Sequence, residues 1–372
     1  MVSTPLPPRE GISNYAVNLA RELELRGNEV FIVTRGTGLK GNSVAGLDIR
    51  AWSLPFLPVY PFHTELYAFL LTRFIRSFNR QIDVVNCHSP LTLPPVTDGL
   101  VVSTVHSTMK DDLDPARVKD HVPLMSRLMK PFSVRVEERL LAGSRVITCV
   151  SHHVSEQVSE YGIDPARVSV INNGVDVKTF SPENRKEEKL IVYVGRLAQG
   201  KGLFDLVNAA KLVLANEPDY RFEIVGTGPL SSPLRRFAER LGLSSDDFAF
   251  IGFIDHSEVA RVLGRASLFV LPSHHEGMPT VMLEALASGT PVVATAIRGV
   301  TEIIEDGKSG FLAPPGNPRQ LGLRITQALA DASLRGRIAR EGRSLVETHF
   351  TWPLVAARFV DSVNASVPGA LE

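Results

Sequence analysis

Short apolar runs alternate with segments of helical spacing along the whole chain. In the first half, residues 30–34, 84–87, 101–105 and 145–150 are brief and rich in Val and Ile. That is the pattern of strands buried on both faces. Between them, 14–26, 64–80, 130–141 and 151–161 repeat their apolar positions at helical intervals. The second half follows the same scheme. Strands are predicted at 190–194, 221–225, 248–251, 268–271 and 291–294, separated by helices such as 203–215, 229–241 and 257–263. Alternating βαβ units imply parallel sheets with helices on both faces. Residues 176–189 are polar, with a Pro and a dense charge cluster, and read as a linker. The predicted class is α/β: two doubly wound, Rossmann-like domains facing a cleft, with ligands at the carboxyl ends of the strands. Met1–Thr4 reads as the tail of a first strand, from either a late start assignment or a short edge.

Composition narrows this little but excludes much. At 372 residues, two domains are the default, each with its own core. Hydrophobic residues make up 44% and charged residues 22%, as in a soluble globular protein. Forty basic and forty acidic residues cancel, so nothing global points to nucleic acid. Cys87 and Cys149 both end apolar runs and are expected as buried free thiols in a reducing cytoplasm. No apolar run reaches ~18 residues, and no signal peptide is recognised before Gly11, so a cytoplasmic location is expected.

The richest chemistry lies in His275-Glu276-Gly277-Met278-Pro279, followed by Glu284. Pro279 suits the first turn of a helix, where its missing N–H would be unpaired anyway. Gly277 lets backbone approach a ligand, and the helix N-terminus beyond it carries partial positive charge. Such a corner can hold a polyhydroxylated or phosphorylated ligand, with both glutamates accepting from hydroxyls. Arg196 and Lys201 sit in the turn after the predicted strand 190–194, placed to clamp a diphosphate as a fork and a point charge. Val225-Gly226-Thr227-Gly228-Pro229 lacks the three-glycine dinucleotide spacing, which argues against NAD. Phe253 ends a strand at the same rim, where backbone can meet a nucleobase. His106 ends the strand 101–105 and is expected to point into the cleft.

Taken together, in order and at these spacings, the residues resemble the retaining glycosyltransferases of the GT-B fold, family 4 (the group 1 type). The resemblance runs nearly end to end: Gly11 before Ile12-Ser13-Asn14-Tyr15, Arg26-Gly27-Asn28-Glu29-Val30, His106, Asn173-Gly174-Val175-Asp176, Val194-Gly195-Arg196 with Lys201-Gly202, Glu276-Gly277-Met278-Pro279 with Glu284-Ala285, Gly289-Thr290-Pro291-Val292-Val293, and Phe350-Thr351-Trp352. It implies an N-terminal acceptor-side domain of residues 1–175 plus a returning helix at 352–372, and a nucleotide-sugar domain of residues 176–351. It implies a hexosyltransferase whose donor is a nucleotide-diphosphate sugar and whose acceptor is a hydroxyl group of a glycan, a lipid-linked or a small molecule.

Residue by residue, the resemblance gives Arg196 and Lys201 the diphosphate and Glu284 the ribose hydroxyls. Glu276, with the N–H groups of Gly277 and Met278 ahead of Pro279, would hold the sugar hydroxyls. His106 would contact the transferred sugar, and Gly11 would let the first loop approach the phosphates. The chain departs from the family at Glu10-Gly11, where two glycines are usual: either Glu10 points away, or that loop binds acceptor. The implied chemistry needs no metal or other cofactor, because two cations and a helix N-terminus stabilise the departing diphosphate. Asp112-Leu113-Asp114 imitates a metal motif but reads better as a solvated acidic loop.

In residues 54–80, Phe56, Tyr60, Phe62, Tyr67, Phe69, Phe74 and Phe78 stand among Arg73, Arg76 and Arg80. The segment reads as a core-packing helix with a solvated basic face, or as one with peripheral contact with an anionic membrane at its inner face. An epimerase or phosphorylase on the same fold, and a binding module without catalysis, are the competing functions.

Overall fold

The computed structural model describes residues 1–3, 11–36, 40–43, 49–55, 63–78, 82–89, 92–112, 124–183 and 186–372. The chain forms two compact units, one of Met1–Asn173 with Trp352–Glu372 and one of Gly174–Thr351. Glu10, Phe56, Tyr60, Phe62, Arg80, Leu113 and Asp114 lie outside the described residues, as does the side chain of Asp112.

Unit 1 begins with β1 (Val2–Ser3), α1 (Gly11–Leu25), β2 (Phe31–Gly36), β3 (Lys40–Ser43), β4 (Arg50–Pro55) and α2 (His63–Ser77). It continues through β5 (Val84–His88), β6 (Leu100–Val105), α3 (Met109–Asp112), α4 (Leu124–Gly143), β7 (Val146–Cys149), α5 (His152–Ser159) and β8 (Val168–Val170). Unit 2 carries β9 (Glu187–Val194), α6 (Leu203–Asn216), β10 (Arg221–Val225), α7 (Ser231–Arg240), β11 (Phe248–Gly252), α8 (His256–Arg265) and β12 (Ala266–Leu271). Then come α9 (Thr280–Ala287), β13 (Val292–Thr295), α10 (Arg298–Thr301), β14 (Phe311–Ala313), α11 (Pro318–Ala330) and α12 (Ala332–His349). The last helix, α13 (Trp352–Asn364), belongs to unit 1.

The unit 2 sheet has the order β11-β10-β9-β12-β13-β14, parallel throughout. All six residues of β12 are buried, which is why its sequence reads as one apolar run. The order reverses direction between β9 and β12, and that reversal opens a crevice at their carboxyl ends where ligands settle in doubly wound sheets. In unit 1 the order is β3-β4-β2-β1-β5-β6-β7-β8, with β3 antiparallel to β4 and the other described pairs parallel. Tyr15 and Leu19 of α1 share a core with Val102, Val146 and the α13 residues Trp352, Val355 and Phe359. Cys87 and Cys149 are buried free thiols, and burial pushes both up to about 12.

The predicted linker at 176–189 is shorter than its composition suggested, because β9 already starts at Glu187. The charges belong to the strand's amino end. Glu187 pairs with Arg221 at 2.5 Å and Arg265 at 2.6 Å, and Lys189 pairs with Asp219 at 2.5 Å. A charge cluster paired across three elements needs no linker. The helix predicted at 229–241 begins only at Ser231, because Pro229 and Leu230 form a turn before it, closed by Ser231 N–H on the Gly228 carbonyl at 3.1 Å. The helix predicted from 64 to 80 is described as α2, ending at Ser77.

Candidate active site

At the reversal in unit 2, the loop after β9 and the loop after β12 are locked together. Gly202 stands at the N-cap of α6 with φ +62, and a Cβ there would come 1.8 Å from the carbonyl oxygen of Pro272. Only glycine fits both the backbone conformation and the approach. The close passage brings Lys201 Nζ to 2.7 Å from Glu276 Oε1. Ser273 Oγ donates to the same oxygen at 2.7 Å. The Ser273 carbonyl in turn accepts from Thr295 Oγ1 on β13. Beneath the loop, Gly299 of α10 passes so closely that a Cβ would lie 2.3 Å from the carbonyl oxygen of Glu276. His274 N–H donates to the Gly200 carbonyl at 2.8 Å, a second tie between the two loops, and its Nε2 lies 2.7 Å from Asp205 Oδ2 on α6.

Arg196 is exposed in the loop after β9, and its carbonyl accepts from the buried Tyr193 hydroxyl at 3.1 Å. Burial, with the nearby Glu276 charge second, pushes that phenol above its ordinary range. Leu197 N–H donates to Thr227 O, and Leu230 N–H to Leu197 O, both at 2.9 Å, which ties the loops after β9 and β10 together. Gly277 is half-buried, whereas Met278 and Pro279 are buried. Pro279 is the N-cap of α9 and not a residue of its first turn, since φ −76 and ψ 107 are extended and the helix begins at Thr280. Glu284 lies in α9, its Oε1 2.9 Å from His256 Nε2. That hydrogen bond raises the His256 imidazole above its usual range, against the opposing effect of burial. Phe253, just past β11, is 58% exposed, a large apolar ring left uncovered beside this rim.

Unit 1 presents a different arrangement. His106 directly follows β6, and its Nε2 lies 3.0 Å from Nδ1 of His88, the last residue of β5. The rings stack with centroids 5.2 Å apart at 21°. Tyr15 meets both edge-on, at 5.6 Å and 5.0 Å, and Trp352 packs on Tyr15 at 5.4 Å. His106 is thus half of a pair and not the lone strand-end residue the sequence suggested. Burial lowers His106 to about 4 and His88 well below its usual range, the latter helped by His106. Both rings are neutral near pH 7. The adjoining loops are pinned by the buried Glu137 of α4. Its carboxylate accepts from Ser89 Oγ at 2.8 Å, from Met109 N–H at 2.8 Å and from the Tyr161 hydroxyl. Gly11 is the exposed first residue of α1.

The structure therefore joins Lys201 to Glu276 and sets Arg196 in the same loop as Lys201. Glu284 stands on the helix that the Glu276 loop enters. Sequence reasoning missed His88, Glu137, His256 and Ser273. His88 was within reach, since it follows the predicted strand 84–87 as His106 follows 101–105. The other three carry no local signal. Among the described residues no group of three His, Cys, Asp or Glu could hold a metal ion, and no helix is long and apolar enough to cross a membrane.

Two family models match in succession: residues 9–179 match Glycosyltransferase Family 4, and residues 176–345 match Glycosyl transferases group 1. The chain is 33% identical over 248 residues to D-inositol 3-phosphate glycosyltransferase 2 of Catenulispora acidiphila, covering 61% of this chain and 57% of that protein. It is 27% identical over 393 residues to a glycogen synthase of Mycobacterium tuberculosis, covering 96% of this chain and 92% of that protein. Among solved structures, sucrose-phosphate synthase from Thermosynechococcus elongatus superposes with a TM-score of 0.78 at 20% identity, over 97% of this chain and 94% of that one. Anabaena HepE in complex with UDP and glucose gives a TM-score of 0.75 at 16% identity, over 98% and 99%.

Proposed function

The chain belongs to the group 1 glycosyltransferases of the GT-B fold, and from that premise we propose that it transfers a hexosyl group from a nucleoside-diphosphate sugar to a hydroxyl acceptor with retention of anomeric configuration. The observation that carries this reading is Glu276, whose Oε1 takes both Lys201 and Ser273 at the crevice of the unit 2 sheet. The carboxylate is oriented before any ligand arrives, and a cation stands beside it.

In this reading Lys201 and Arg196 hold the diphosphate, and Glu276 with the Gly277 and Met278 N–H groups holds the sugar hydroxyls ahead of Pro279. Glu284 takes the ribose and Phe253 borders the base. Gly11 joins the donor-binding residues on the strength of the family resemblance. His106, neutral, donates to or accepts from the transferred sugar. The bond from the anomeric carbon to the diphosphate oxygen breaks, and its electron pair leaves with the nucleoside diphosphate. The acceptor oxygen attacks from the same face, and its proton passes to the departing phosphate oxygen. Negative charge grows on that phosphate, where the two cations and the N-terminus of α9 stabilise it. No metal is assigned a part.

Exposed Phe69, Arg73 and Arg76 on α2, whose other face buries Tyr67, Leu71 and Ile75, support peripheral contact with an anionic membrane and a lipid-linked acceptor. Replacing Arg73 and Arg76 with Glu should weaken binding to anionic vesicles, and unchanged binding refutes that contact. The donor reading is tested by melting the protein with UDP-, GDP- and ADP-sugars, then following transfer to an added acceptor. One nucleotide should raise the melting temperature and lose that effect in Arg196→Ala/Lys201→Ala. A chain that binds without ever transferring is a binding module and not a transferase.

A further inference from the structure

Glu284 does not stand alone at the rim. Its Oε1 lies 2.9 Å from Nε2 of His256, the first residue of α8. The imidazole meets the buried ring of Phe180 edge-on, with centroids 5.2 Å apart at 66°. Phe180 is held in turn: Arg343 of α12 donates to the carbonyls of Phe180 at 2.7 Å and Val177 at 3.1 Å, and to that of Ala287 at the end of α9. One arginine thus fastens the segment that braces His256 to the helix that bears Glu284. The contact between His256 and Glu284 is set by four fixed elements, not by two free surface side chains. The charges facing the ring from elsewhere are Glu284 and Asp176, both acidic, and Asp176 is itself tied into its turn by the N–H groups of Lys178 and Thr179.

A glutamate carboxylate turns freely about its last torsion, and fixing that rotation before the ligand arrives removes an entropic cost of binding. With Oε1 anchored, the plane of the carboxylate is set and Oε2 keeps a defined direction. We infer that His256 is a positioning residue for the donor nucleotide, orienting the Glu284 carboxylate to accept both hydroxyls of a vicinal ribose diol. The inference rests on the reading of Glu284 as the ribose contact.

The test is calorimetric titration of wild type, His256→Ala, His256→Gln and Glu284→Ala with UDP, GDP and ADP, then with the 2′,3′-dideoxy form of whichever binds. His256→Ala should weaken the natural nucleotide about tenfold, the scale of one charge-assisted hydrogen bond. It should raise the donor KM while kcat at saturating donor stays unchanged. His256→Gln, which still offers an N–H, should recover most of the affinity. The dideoxy nucleotide should bind wild type and His256→Ala equally, because the diol that Glu284 would accept is gone. A His256→Ala defect that persists with the dideoxy nucleotide overturns the inference in favour of local packing. Full affinity in His256→Ala beside weakened Glu284→Ala overturns it while sparing the ribose reading. Full affinity in Glu284→Ala removes the ribose reading and the inference together.

Discussion

In unit 1, His88 and His106 stack on each other against the edge of Tyr15, which itself packs on Trp352, and desolvation lowers both rings' affinity for a proton. In unit 2, Lys201 meets Glu276 and His256 meets Glu284 at a partly exposed rim, where each charge is balanced by a neighbour. The two units hold polar side chains in place by opposite means. Desolvation keeps an imidazole neutral, the form to which the proposed function gives the sugar hydroxyls. Charge pairing sets a cation against a carboxylate, the arrangement to which the proposed function gives a diphosphate and a diol. The first should be sensitive to acid and indifferent to salt, and the His256–Glu284 pair of the second should weaken as the pH rises and as salt is added.

The largest effect should come from the charge-paired side. Lys201→Ala and Glu276→Ala should each lower kcat/KM for transfer about a thousandfold, the scale of losing an oriented group at a developing charge. Melting temperature should fall only modestly, because the pair is half-buried, at 32% and 13% exposed, and among the described residues Ser273 Oγ is the one further group that loses its acceptor in Glu276→Ala. A near-normal rate in either variant would place the donor site elsewhere. On the buried side the balance should invert. Glu137→Ala leaves Ser89 Oγ, Met109 N–H and the Tyr161 hydroxyl without their acceptor, so denaturant titration should show a loss of about 3 kcal/mol. A loss below about 1 kcal/mol would mean that water replaces the carboxylate.

How much of this was readable in advance follows from which faces each segment buries. β12 and β13 run between neighbours on both sides with every residue buried, so residues 268–271 and 292–294 are continuous apolar runs that stand out. β3 is a four-residue edge strand, Lys-Gly-Asn-Ser, with no apolar signal, and β8 and β14 are three residues each. No run of that length separates from a loop on periodicity. The family resemblance and the glycine-rich turns marked Lys201, Glu276 and Glu284 individually. That Lys201 and Glu276 meet depends on β9 lying beside β12, which the strand order decides and no local spacing contains. Glu137 and His256 each act through a partner distant in sequence, so a single-chain reading had nothing to attach to either.

Acid provides the next test. The unfolded chain protonates His106 near its ordinary value of 6.5, whereas the folded chain resists until about 4. Between those values the unfolded state binds more protons, so stability is fully present above about 6.5 and falls as the pH drops toward 4. Melting temperature followed over that range should decline in wild type and decline less in His106→Gln, where that proton-binding site is absent. Parallel curves would mean that His106 titrates freely and is not desolvated in the folded chain.

The smallest effect runs the other way. His256 is raised above 6.5 by Glu284, so here the folded state binds the proton more tightly than the unfolded one. The contribution of this pair is complete below about 6.5 and disappears as the pH rises through the folded value. The side chain is 44% exposed, so salt should erode the contribution as well. The difference in melting temperature between wild type and His256→Gln should therefore shrink on going from pH 6 to pH 9, and shrink further in high salt. The His106→Gln difference should be insensitive to salt. If both differences respond to salt alike, the two pairs share one electrostatic environment, and the division between a desolvated site and a charge-paired one fails.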